Sequence, residues 1–335
     1  MTEESRLALS TSPFLHHEED TPWIMYRVIL ALIAPLLAAF YFFGLSALLV
    51  TAVAIFSCLL TEWFFDHTEK RGESLKDGSA IITGILLALT LPPGIALWMV
   101  FLGGVVAIGM GKVMWGGLGN NVFNPALLGR AFLQAAFPAA ITTWQPPDGR
   151  FFMCRGSNLA LPFMQGSPVD GVTTATPLSL MKFQHEPTGF LDLLLGNTGG
   201  SLGETSGLLL ILAGIYLWRK NVIEWRIPVG ILSTVALFSG VLYIINPKHY
   251  PSPAFMLFSG GILLGAIFMA TDMVTCPITS KGCWIFGFGI GFLIVLIRVW
   301  GGLPEGVMYA ILLMNSVTPL INRISQQRVY GTNLK

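Results

Sequence analysis

Three threonines stand within four positions of a hydroxyl-rich turn, VDGVTTATPLSLM (169–181): Thr173, Thr174 and Thr176. Thr176 followed by Pro177 reads as an N-cap with proline in the first helical position, opening a short helix over 178–183. The same geometry suits an anion. A helix start presents free N–H groups and the positive end of a dipole, so a phosphate esterified to that threonine would be held there. The residue types alone leave both readings open, and leave three hydroxyls to choose from.

A second group of polar residues lies in GKVMWGGLGNNVFNPALLGR (111–130), which packs five glycines and three asparagines beside an apolar run. Glycine lets a backbone come close to another group. Asn120, Asn121 and Asn124 offer amide donors and acceptors, which are costly near hydrocarbon unless paired. They predict either hydrogen bonds between helices or a site for a flat, hydrogen-bonding ligand. Two acids stand at span ends. Asp272, in FMATDMVTCPITSKG, marks a cation or proton route or a cap at the membrane surface. Asp77, in EKRGESLKDGSAIITG, caps the following span or lines a ligand site. Glu62, Glu204 and Glu305 are also near span ends, where exposure to water makes them cheap. His67, His185 and His249 are isolated, and Cys58, Cys154, Cys276 and Cys283 have no C-x-x-C spacing, so no metal site is expected.

These residues need a scaffold, and the composition says which kind. The 335 residues are 53% hydrophobic and 11% charged, whereas an average soluble domain is about 25% charged. Most of the surface is expected to face lipid. The net charge of +1 offers no field for nucleic acid. Apolar runs fall at 24–43, 45–65, 79–93, 95–111, 122–140, 206–218, 227–245, 254–272, 284–302 and 306–321. The sequence therefore predicts an all-α polytopic membrane protein with about ten transmembrane helices. The third run is short and closed by Pro92-Pro93, and the sixth is short; both predict broken helices of the kind that border binding sites.

Lys and Arg set the orientation. With the N-terminus cytoplasmic, the cytoplasmic segments hold twelve of them and the opposite side four, Arg150, Arg155, Lys182 and Lys248. Both termini are then inside, and the threonine turn outside. Five spans per half give the halves opposite topology, a five-plus-five inverted repeat. Short matches agree: Gly84-Ile-Leu-Leu with Gly261-Ile-Leu-Leu, and Asn121-Val-Phe-Asn-Pro125 with Asn315-Ser-Val-Thr-Pro319. The expected organisation is a cytoplasmic segment (1–23), a first half (24–140), an external loop with the threonine turn (141–205), a second half (206–321) and a cytoplasmic tail (322–335).

Several blocks in one order carry a family resemblance: GESLKDGSAIITG, GGLGNNVFNPALLGR, DGVTTATPL, GSLGETS, FMATDMVTCPIT and PEGVMYAILLMN. Along nearly its whole length the chain resembles the NqrB/RnfD family. RnfD belongs to the Rnf complex, a membrane ferredoxin:NAD oxidoreductase, and NqrB to the sodium-pumping NADH:quinone oxidoreductase; the length fits RnfD better. The resemblance implies FMN joined by a phosphoester to Thr176, with Asp170, Thr173 and Ala175 matching the attachment motif. Thr174 stands where the family usually has Gly. It implies a non-covalent riboflavin on the cytoplasmic side, with Asn121 and Asn124 matching the asparagines there. It also implies coupling of electron transfer to Na+ or H+ movement in the bacterial inner membrane. The implied partners are the FMN-bearing RnfG protein, the NADH-side RnfC protein and a flavin transferase. Asp272 and Asp77 are the ion-path candidates. The alternatives are an NqrB-type protein, or a cofactor-free small-solute transporter or channel, which could share the architecture.

Overall fold

The computed structural model describes residues 20–65, 74–147, 151–152, 154, 156–162, 174–184, 186, 188–247 and 249–326. Asp170 and Thr173 lie outside the described residues. Among those described, all regular structure is helical. In the first half the helices are α1 (Thr21–Phe43), α2 (Leu45–Phe65), α3 (Ser79–Leu89), α4 (Leu97–Gly111), α5 (Pro125–Ala136) and α6 (Pro138–Thr142). Two short helices follow in the connecting region, α7 (Pro177–Ser179), continued by a π-turn over Leu180–Gln184, and α8 (Phe190–Leu195). The second half holds α9 (Gly207–Arg219), α10 (Arg226–Ile245), α11 (Pro253–Phe258), α12 (Ile262–Leu264), α13 (Ser280–Trp300) and α14 (Val307–Ile324). Six helices are long and apolar enough to cross a membrane, and α3 and α9 are shorter apolar helices. The protein is a polytopic, all-α membrane protein.

Each apolar run contains helix, but three are interrupted. α3 stops at Leu89, and the chain turns through Pro92-Pro93. A proline cannot donate, so carbonyls near the break need other partners. Leu91 O accepts from Leu202 N (3.1 Å), and Gly94 O from Ser157 N (3.1 Å). The sixth run, in contrast to expectation, is a single unbroken short helix: α9 starts at Gly207, capped by Ser206, and runs to Arg219. Two more breaks go beyond the sequence expectation. The fifth run divides at Phe137-Pro138 into α5 and α6. The eighth divides at Ser259-Gly260 into α11, α12 and a π-turn over Gly265–Met269. Gly260 has φ +67°, where an L side chain is strained.

Neighbour relations repeat. In the first half α2 packs on α3 and α4, and α4 on α5; in the second α10 packs on α11 and α13, and α13 on α14. α1 against α9 and α5 against α14 join the halves. Small residues make the closest contacts in both. A Cβ on Gly104 of α4 would collide with Ser57 Oγ of α2, and one on Gly287 of α13 would lie 2.9 Å from Ile227 O of α10. Without a hydrophobic drive between helices in lipid, this close packing supplies the attraction. The two members of the second sequence match, around Asn124 and Asn315, also meet in space. With its amide oriented to satisfy both neighbours, Asn315 accepts from Asn124 N (3.2 Å) and donates to Ile311 O (3.3 Å).

Candidate functional site

The polar residues collect at opposite ends of the bundle. At one end a cavity of about 90 Å³ lies between the halves. The start of α1, α3, Lys112, Asn121 and Asn124 wall one side; Ile267, Phe268, Thr271 and Asp272 wall the other. Asn124 is held there by folding. It caps α5, its Oδ1 accepting from Ala126 N (3.1 Å) and Leu127 N (3.3 Å), and Nδ2 donates across to Met269 O (3.2 Å). Asn121 donates from Nδ2 to Phe123 O (3.4 Å), while its buried Oδ1 has no partner among the described residues. A buried orphan acceptor on a mostly apolar cavity fits a ligand with ring N–H groups. Asn120 is exposed and is not in the wall.

Asp272 borders this cavity and also orders its own turn. Its oxygens accept from Val274 N (3.4 Å) and Thr275 Oγ1 (3.2 Å). Asp77 stands just before Gly78, the N-cap of α3, and its Oδ1 accepts from both the N and Oγ of Ser79 (2.8 Å each). Behind Ser79 is a charge cluster that the spacing does not reveal. Lys112 is buried and donates from Nζ to Glu62 Oε1 (2.6 Å) and Ser79 Oγ (2.6 Å), with Asp77 Oδ2 at 3.6 Å. Glu62, a span-end acid expected in water, is only 2% exposed. Ser74 also bonds its Oε1, and Oε2 has no partner. Cys58 is a buried core residue, as its apolar run predicts. Burial, with Asp272 nearby, pushes the Cys276 thiol up to about 12, so it is inert as a nucleophile.

At the other end, Thr176 is the N-cap of α7 with Pro177 at the first helical position. Its Oγ1 accepts from Ser179 N (3.2 Å) and lies 2.9 Å from Ser179 Oγ. The residue is buried and lines a cavity of about 60 Å³ with Arg130, Trp144, Glu204 and Glu305. Thr174 differs. Its N donates to Trp144 O (3.1 Å), and its Oγ1 is so close to Gly199 that a Cβ there would collide with it. Of the two described threonines, Thr176 is the one on the cavity.

Three cations near this cavity serve the broken helices. Arg130 donates to Thr90 O (2.7 Å), at the end of α3, and to Glu305 Oε2 (3.2 Å); its buried Nε has no partner. Glu305 Oε1 accepts from Gly261 N (2.7 Å). Arg298 donates to Met256 O (2.9 Å) and Ser259 O (2.9 Å), carbonyls released where α11 stops. Lys182 threads its ammonium into the end of α13, donating to Arg298 O (3.0 Å), Gly301 O (2.5 Å) and Leu303 O (2.9 Å). Partial burial moves its pKa down from the ordinary lysine value. Arg130 lines the same cavity as Thr176, and a guanidinium there fits a phosphate on that threonine.

The sequence matches the profile of the NQR2, RnfD, RnfE family over residues 8–331. It is 41% identical to the D subunit of the proton-translocating ferredoxin:NAD(+) oxidoreductase complex of Clostridium ljungdahlii, over 97% of this chain and 96% of that one. It is 40% identical to the D subunit of the Na(+)-translocating ferredoxin:NAD(+) oxidoreductase complex of Acetobacterium woodii, over 98% and 96%. It is 41% identical to the D subunit of the ion-translocating oxidoreductase complex of Stutzerimonas stutzeri, over 93% and 92%.

Proposed function

The chain belongs to the NQR2, RnfD, RnfE family, and from that premise we propose that it is a flavin-bearing electron carrier coupled to ion movement. It is a membrane subunit of an ion-translocating ferredoxin:NAD oxidoreductase (Rnf) complex. Within that complex we propose FMN on Thr176 by a phosphoester and riboflavin in the Asn121 cavity. The Asn121 end faces the cytoplasm and the Thr176 end the outside, in the bacterial inner membrane, as the Lys and Arg bias implies.

One observation carries the FMN reading: Thr176, the N-cap of α7, lines one cavity together with the guanidinium-bearing Arg130. When bound, the isoalloxazine supplies the redox chemistry. This chain's residues do the rest. Ser179 N–H would steady the ester oxygen, and Arg130 would bind the phosphate. At the Asn121 end, the free Oδ1 would accept from a ring N–H, and Asn124 would hold the wall by tying α5 to Met269 O. The RnfG and RnfC proteins are the proposed electron partners, and a flavin transferase the maturation partner. Asp272 and Asp77 are the proposed ion-path acids. The relatives do not choose the ion: two that are 41% and 40% identical are named for protons and for sodium.

The test is intact-mass spectrometry of the purified chain with Thr176→Ala beside it. The wild type is expected to exceed its sequence mass by one FMN phosphoryl adduct and to fluoresce in gel. Thr176→Ala is expected to lose both. Fluorescence retained by the variant would sink the attachment.

A further inference from the structure

A larger cavity, of about 220 Å³, adjoins the turn that carries Thr176. Leu178 lines both it and the smaller cavity that Thr176 faces. The two differ in charge. The smaller one has two acids in its wall, Glu204 and Glu305, and one cation, Arg130, which is paired with Glu305. The larger one is walled by Lys182 and Arg298, with Phe183, Tyr250 and Met256, and by no carboxylate among its described residues. Both cations are fixed from behind: Lys182 by three carbonyls at the end of α13, Arg298 by two at the break after α11. Such charges need no rearrangement when a negative charge develops beside them.

We propose that this cavity seats the isoalloxazine ring of the flavin on Thr176, and that Lys182 and Arg298 favour its reduced form. The inference rests on the attachment proposed above. A ring in the smaller cavity would gain electrons beside two acids and a single arginine that is already paired with one of them. A ring in the larger one gains them beside two cations, with aromatic and thioether side chains for its faces. The phosphate would stay at Thr176, and the ribityl chain would run past Leu178, which lines both cavities. Lys182 is a positioning and electrostatic residue here; its three protons are already used, so its charge acts rather than a new hydrogen bond.

The experiment is a redox titration of the covalent flavin, followed by absorbance, in the purified full chain and in Lys182→Gln and Lys182→Arg. Intact mass is read on each. Attachment is expected in all three. Lys182→Gln is expected to lower the ratio of reduced to oxidised flavin about tenfold at fixed potential, about 30 mV for a two-electron couple. Lys182→Arg, which keeps the charge, is expected to stay within about threefold of wild type. A loaded Lys182→Gln chain that titrates like wild type would overturn the seat. A wild type with no adduct would instead overturn the attachment. A second measurement needs no variant: the ring in wild type is expected to be several-fold less accessible to acrylamide than free FMN. Equal accessibility would also overturn the seat.

Discussion

The two ends of the bundle stabilise buried charge in opposite ways. At the Asn121 end, charge meets charge: Lys112 lies against Glu62 and Asp77 behind continuous helices. At the Thr176 end, charge mostly meets backbone: Arg298 and Lys182 each donate to carbonyls, and Arg130 divides itself between Thr90 O and Glu305. The reason is the breaks. Each helix end leaves carbonyls without an intrahelical partner, and at membrane depth water cannot serve them. Cations take that role, and one wall is left positive. The comparison also gives a physical sense to the two proposed modes of holding a flavin. A cavity closed by helices of both halves can retain a ligand by fit, whereas a site built on short segments gains from a covalent tether.

The sharpest way to break this contrast is Lys112→Met. It strands Glu62, already carrying one unpartnered oxygen, and removes the neighbour of Asp77. Losing one partner of a buried pair costs about 3–5 kcal/mol. Thermal unfolding in detergent should show that loss, and Lys112→Met with Glu62→Gln should recover most of it. A single variant as stable as wild type would mean that the cluster is not the closed network described. At the other end, Glu305→Gln should cost less, about 1–3 kcal/mol for a charged hydrogen bond. Its carboxylate is 19% exposed, and an amide can still accept from Gly261 N.

Asn124 comes next, because it joins the two halves. Asn124→Ala removes the cap of α5 and the bond to Met269 O, and a lost cap alone costs about 1 kcal/mol. Asn124→Asp keeps an acceptor for Ala126 N and Leu127 N but has no donor for Met269 O. Comparing the two separates capping from the tie between halves, with a smaller loss expected for Asp. Riboflavin content, read by extraction, should fall in both; retention in Asn124→Ala would detach this cavity from the second flavin.

Much of the scaffold is legible in the sequence because an apolar run of span length has few alternatives. Pro92-Pro93 announces one break, and the threonine-proline pair announces the cap that forms. The break at Ser259-Gly260 is not legible, since Ser-Gly inside an apolar run is also ordinary helix packing. Its signal is Glu305 bonding Gly261 N, a contact between residues 44 positions apart. Glu62 and Lys112, 50 positions apart, are hidden for the same reason. Each alone resembles a charge at a span end, and only the packing of α4 on α2 makes them a pair. A buried acid and a buried base at the same ends of neighbouring spans are the pattern to look for. At the Thr176 end, nothing in the spacing shows that Lys182 reaches the end of α13.

The smallest effect tests the turn itself. Thr176 Oγ1 has two neighbours on Ser179, the backbone N and the hydroxyl. An ester oxygen has no proton, so once Thr176 carries a phosphate the Ser179 hydroxyl can only donate to it. Ser179→Ala removes that contact and leaves the backbone N–H in place. The residue is half-buried, and one neutral hydrogen bond is worth about 0.5–1.5 kcal/mol. The expected stability loss lies at or below the lower end of that range, with flavin attachment unchanged by intact mass. The same substitution should leave the riboflavin content of the Asn121 end untouched, since no wall is shared by the two cavities. If attachment collapsed instead, the Ser179 hydroxyl would belong to the esterification chemistry, and the cap would be more than a scaffold for Thr176.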